Sequence, residues 1–124
     1  MTTAINILVV GDDEEICTYL AKILSVKDWR TDMAWIGSKA VELARCNTYE
    51  VIVFNYRKPG LDTADVCRYI REAQPEARHV FMTGTPNIDT VYRAVDAGAD
   101  LVLAKPVDPT ELVGVLEEQL AEQT

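Results

Sequence analysis

Basic residues are scarce in this 124-residue chain: twelve Lys and Arg stand against twenty Asp and Glu, a formal net charge of −8. A field of that sign repels phosphate backbones and anionic lipid headgroups, so neither nucleic acid nor a membrane surface is expected as a partner. Long hydrophobic runs are also missing. The apolar run nearest the N-terminus, Ile5–Val10 (INILVV), meets GDDEE at once and has no basic flank. It reads as neither signal peptide nor membrane span, and a cytoplasmic location is expected. Histidine occurs once, at His79, with no Cys or His nearby in sequence, and reads as a structural or surface residue. Cys17, Cys46 and Cys67 form an odd, widely spaced set that fits neither a disulfide framework nor a zinc spacing. Reduced thiols packed as small apolar groups are expected. Catalytic triad, Walker loop, zinc motif and Rossmann fingerprint are all absent, so an enzymatic reading finds no nucleophile–base pair to rest on.

What is present is an ordinary globular composition, 48% apolar and 26% charged, without repeat, low-complexity tract or linker. One domain over residues 1–124 is expected. Five short apolar runs, Ile5–Val10, Thr31–Ile36, Val51–Phe54, His79–Met82 and Leu101–Leu103, alternate with five segments of helical period. The first, third and fourth runs are apolar at nearly every residue, as strands covered on both faces must be. Apolar stripes at helical spacing occur at Ile16, Leu20, Ile23 and Leu24, at Val66, Tyr69, Ile70 and Ala73, and at Leu112, Val115, Leu116 and Leu120. Gly98, after the segment Ile88–Ala97, suits a left-handed helix C-cap, and Asp108-Pro109 suits the start of the last helix. Gly60-Leu61-Asp62 leads into the third helix. Such alternation predicts a doubly wound α/β domain, a parallel sheet with helices on both faces. Ligands of such sheets sit at the carboxyl ends of the strands. The residues there are Gly11-Asp12-Asp13, Asn55, Thr83-Gly84 and Lys105-Pro106.

The stretches ILVVGDDEEI, YEVIVFNYRKPGLD, VFMTGT, AGAD and KP followed by DPTEL, in this order and spacing, resemble the receiver domain of two-component response regulators over essentially the whole chain. The resemblance implies a flavodoxin-like five-stranded parallel (βα)5 fold with strand order 2-1-3-4-5. It also implies that Asn55 stands at the phosphoacceptor position. Receivers place two acids after the first strand, where this chain has Gly11 and Asp12, and the acid that often follows corresponds to Asp13. The family's Mg²⁺ shell would draw on Asp12, Asp13 and the backbone carbonyl of Arg57. Thr83 matches the switch hydroxyl and Lys105 the lysine that pairs with the phosphoryl group, with a cis Lys-Pro bond in the family. Val102 replaces a Tyr or Phe. The partner face would lie on the last two helices and the strand between them, with Tyr92, Arg93, Asp96 and Asp100.

An aspartate accepts a phosphoryl group through a charged oxygen, and the rest of catalysis is positioning and metal neutralisation. The carboxamide of Asn55 has no such oxygen, and its nitrogen lone pair is delocalised. Aspartyl phosphorylation at position 55 is therefore excluded. Three carboxylates and a lysine would net about −2, whereas Asp12 and Lys105 net about zero, so Mg²⁺ binding is expected to be weak, and no cofactor is required. Counted by charge alone, Asn55→Asp with Gly11→Asp should strengthen it. Asp12, Asp13, Glu14 and Glu15 also stand where the first helix begins, and capping accounts fully for Glu14 and Glu15.

The expected function is signalling by a receiver-like module, not an enzyme, that meets a histidine kinase, a phosphotransfer protein or an effector domain. One alternative is an ordinary receiver inactivated by a single Asp-to-Asn change, which leaves Gly11 and Val102 unexplained. Another is a flavodoxin-like domain binding a phosphorylated small ligand, disfavoured by GDDEE where phosphate cradles carry Gly, Ser and Thr.

Overall fold

The computed structural model describes residues 5–25, 27–55, 61–84 and 87–122. Five strands alternate with five helices: β1 Asn6–Gly11, α1 Glu14–Leu24, β2 Arg30–Ala34, α2 Gly37–Cys46, β3 Val51–Asn55, α3 Leu61–Ala73, β4 Arg78–Thr83, α4 Ile88–Asp96, β5 Leu101–Ala104 and α5 Pro109–Glu122. The strands form one parallel sheet in the order β2-β1-β3-β4-β5. This is the expected doubly wound, flavodoxin-like architecture.

The period of two along each strand sorts the core into two layers. Ile7, Val9, Val51, Val53, Val80 and Met82 pack against Cys17, Leu20 and Leu24 of α1 and Leu112, Val113 and Leu116 of α5. Leu8, Val10, Ile52 and Phe54 point the other way, onto Ala40 and Ala44 of α2 and Cys67 and Ile70 of α3. β3 lies in the middle of the sheet, and all five of its residues are buried. That explains a strand apolar on both faces until its last position.

Helix punctuation follows the sequence at Asp108-Pro109 and Gly98, while Gly60, expected to lead into α3, lies outside the described residues. The Asp108 Oδ1 accepts from Thr110 N at 2.8 Å and Glu111 N at 3.4 Å, with Pro109 opening α5. Gly98 takes φ +108°, and the Gly98 and Ala99 amides donate to the Val95 and Ala94 carbonyls to close α4. A Cβ at Gly98 would also press on the Arg71 side chain at 2.8 Å.

Three expectations change. β2 ends at Ala34, not Ile36, because Trp35 and Ile36 are exposed and Ile36 is already the N-cap of α2. Tyr69 does not face the core: it is 42% exposed, and the buried face of α3 runs through Cys67 and Ile70 instead. Cys46 is exposed, while Cys17 and Cys67 are buried thiols. His79 is structural. It is buried and stacked on Phe54 at 5.9 Å, with Nε2 3.0 Å from the Gln74 carbonyl. A carbonyl can only accept, so Nε2 carries the proton. Burial holds the imidazole below its usual pKa.

Candidate functional site

The sheet register brings the expected rim together. Gly11, the last residue of β1, pairs with Asn55, the last of β3; Asn55 pairs with Met82; and Thr83 pairs with Ala104, beside Lys105. The Lys105 amide donates to the Thr83 carbonyl at 2.7 Å. Asn55 follows Val51 and Val53 in the period of two, so its side chain belongs to the α1/α5 layer. Asn55 and Lys105 line one open cleft of about 470 Å³, walled by Ile16, Leu20, Met82 and Leu112.

Asn55 is 4% exposed, and its Oδ1 is buried with no hydrogen-bond partner. Burying an unpaired amide oxygen costs roughly 1–3 kcal/mol, so this side chain is held at a stability cost where an apolar one would be cheaper. Thr83 is buried at the end of β4. Lys105 is half-buried, and its peptide bond to Pro106 is cis.

The acids of the first loop divide. Asp12 is exposed at the head of α1. The Asp13 Oδ1 accepts from the Glu15 amide at 2.8 Å and the Ile16 amide at 3.2 Å, so this carboxylate is the N-cap of α1. That is the duller of its two expected uses, and it draws the side chain toward the helix backbone. Arg57, whose carbonyl was expected to contribute to a cation shell, lies outside the described residues.

The residues present do not fit the Mg²⁺ that a receiver rim implies. Position 11 carries no side chain, position 55 is a neutral carboxamide, and one carboxylate oxygen of Asp13 caps α1. Among the described residues no group of three or more His, Cys, Asp or Glu could hold a metal ion. Mg²⁺ sheds water for carboxylates, and this donor set is short of them.

Cys17, which sequence reasoning treated only as a packed thiol, lies directly under the rim. Its Sγ is within 3.7 Å of the Ala34 carbonyl. Burial, and then the charges of Asp12 and Asp13, push its pKa up to about 11, so it is an unreactive thiol at neutral pH.

On the expected partner face, Tyr92 is 74% exposed and Arg93 is also exposed. Asp96 accepts from Arg68 at 3.0 Å in an exposed pair. Asp100 is less available than expected: one oxygen accepts both from Arg71 Nη1 at 2.9 Å and from the His79 amide at 2.9 Å, pinning α3 and β4 to the start of β5. Val102 is half-buried on the edge strand opposite Phe81. Sequence reasoning missed the neighbours that complete this surface. Ile88, Val91 and Val95 are 85%, 38% and 57% exposed, so with Tyr92 the large apolar side chains of α4 form an outward stripe at spacing i, i+3, i+4, i+7. The spacing was visible in the chain, but its direction was not.

Comparison with known proteins agrees with this geometry. The response regulator receiver domain family matches residues 7–117. The transcriptional regulatory protein ZraR of Klebsiella oxytoca is 31% identical over 117 residues, covering 94% of this chain and 26% of that protein. A phosphorylated response regulator from Burkholderia pseudomallei, solved with calcium and citrate, is 28% identical, with TM-score 0.81 over 95% of this chain and 69% of that one. A CheY-like receiver domain protein from Methanospirillum hungatei JF-1 shares the fold with TM-score 0.88 at 22% identity, over 98% and 97% of the two chains. The chain spans 53% and 26% of the first two curated relatives it matches.

Proposed function

This chain belongs to the response regulator receiver domain family, and on that premise we propose that it is a receiver without aspartyl phosphorylation, working through protein contacts. The observation that carries the reading is Asn55, a neutral and buried carboxamide at the end of β3. No carboxylate oxygen is available there to form an acyl phosphate. Gly11 in place of an acid supports the same reading, since a single inactivating exchange at position 55 would leave position 11 charged.

The outward stripe of α4 supports the contact half of the proposal. Apolar residues grouped on one exposed helix face mark interaction surfaces more often than isolated ones do. The partner would be a histidine kinase, a phosphotransfer protein or an effector domain, and recognition would not wait for a phosphoryl group. Among the described residues no helix is long and apolar enough to cross a membrane.

Incubation with acetyl phosphate and Mg²⁺, followed by intact-mass measurement, should add nothing to the wild-type chain. A stable gain of one phosphoryl group would end the reading. Affinity capture with wild type and with Asn55→Asp should recover the same partner in equal amount, and capture by the phosphorylated variant alone would end the contact half.

A further inference from the structure

We propose that Gly11, Cys17 and the main chain of Asn55 form one sterically coupled set that closes the position-11 side of the rim, so that an acid placed at position 11 adds little to metal binding even when position 55 carries an aspartate. A Cβ built on Gly11 would lie 2.7 Å from the Asn55 carbonyl oxygen and 2.9 Å from the Cys17 Sγ, closer than real Cβ atoms come to other atoms. Charge is therefore not the whole of the defect. The first carbon of any side chain at position 11 is already obstructed.

The two obstacles differ in kind. The carbonyl belongs to β3, whose residues are all buried between two helical layers, so it moves only if β1 and β3 part at the pair Gly11–Asn55. The sulfur belongs to a side chain fully buried under α1 and directed at Ala34. It occupies space a side chain at position 11 would need, and densely packed interiors rarely absorb added atoms without strain. The proposal takes the meaning of position 11 from the receiver reading, but the packing claim rests on these distances alone.

Gly11 has no positive φ, so backbone conformation does not demand glycine here. In an unhindered strand, Gly→Ala stabilises by restricting the unfolded chain. The sign of the Gly11→Ala effect therefore decides the matter. Thermal unfolding of wild type, Gly11→Ala, Cys17→Ala and the double variant should show Gly11→Ala lowering the midpoint by roughly 4–12 °C. The same change should cost fewer degrees in the Cys17→Ala background, since the sulfur is then gone. A Gly11→Ala midpoint at or above wild type, or strictly additive effects at 11 and 17, would overturn the proposal.

Calorimetric titration with Mg²⁺ should find Gly11→Asp/Asn55→Asp less than about tenfold tighter than Asn55→Asp alone. A gain of about tenfold or more would overturn it. If the double acid variant does not fold, the alanine variants decide alone. Phosphorylation of wild type would refute the functional reading and leave these midpoints standing, so the two failures are separable.

Discussion

α1 and α4 are both amphipathic, and they are set into the fold in opposite senses. α1 turns Cys17, Leu20 and Leu24 onto the sheet, where all three are buried. α4 turns Ala94 inward, followed by the capping Ala97, and sends Ile88, Val91, Tyr92 and Val95 toward solvent. An apolar stripe is thus evidence of a face to be covered, not of the core as its cover. The larger residues of α4 are left facing solvent because alanine is enough to seat the helix.

The contrast can be broken most severely at α1. Leu24→Ala, at a fully buried position, should cost about 2–5 kcal/mol and lower the denaturant midpoint accordingly. A loss below about 1 kcal/mol would mean that α1 is not the packed partner described here. At α4 the expectation inverts. Tyr92→Ala should change stability by no more than about 0.5 kcal/mol while markedly reducing partner capture. A destabilised variant, or one that captures normally, would remove the distinction between the two helices.

The smallest effect concerns acid. Stacked on Phe54 in the layer away from α1, His79 has its folded-state pKa lowered, mainly by burial. The Gln74 carbonyl and the Asp100 carboxylate pull it up, and Arg71 pushes it down. The unfolded chain therefore binds the proton more readily, and stability should fall as pH drops below the ordinary histidine value of about 6.5 toward the folded value. Unfolding curves of His79→Phe, which keeps the ring stack, should lose that part of the pH slope. An unchanged slope would place the acid sensitivity elsewhere.

The strands and their rim were legible because burial on two faces writes itself as continuous apolar sequence, and β3 does this up to the residue before Asn55. The capping of α5 by Asp108 and the turn at Gly98 were legible because both are local chemistry. β2 was misjudged at its end because Trp35 and Ile36 look like core residues and only the tertiary packing leaves them outside. Tyr69 went astray similarly, one position off the buried face of α3. The closeness of Gly11 to Cys17 and to the Asn55 carbonyl had no sequence signal, since spacing along a chain says nothing about how nearly two strands touch.

Two carboxamides sit near opposite ends of the path through β3. Gln74 donates through Nε2 to the Ala44 carbonyl at 2.7 Å and to that of Asn47, and its Oε1 accepts from the Tyr49 amide at 3.2 Å. One side chain there mortars α2, the entry to β3 and the end of α3 into a single corner. Asn55 offers the same functional group at the exit and bonds nothing through its oxygen. β3 is consequently gripped by a side chain where it begins, while the last side chain of the strand keeps an unpaired oxygen.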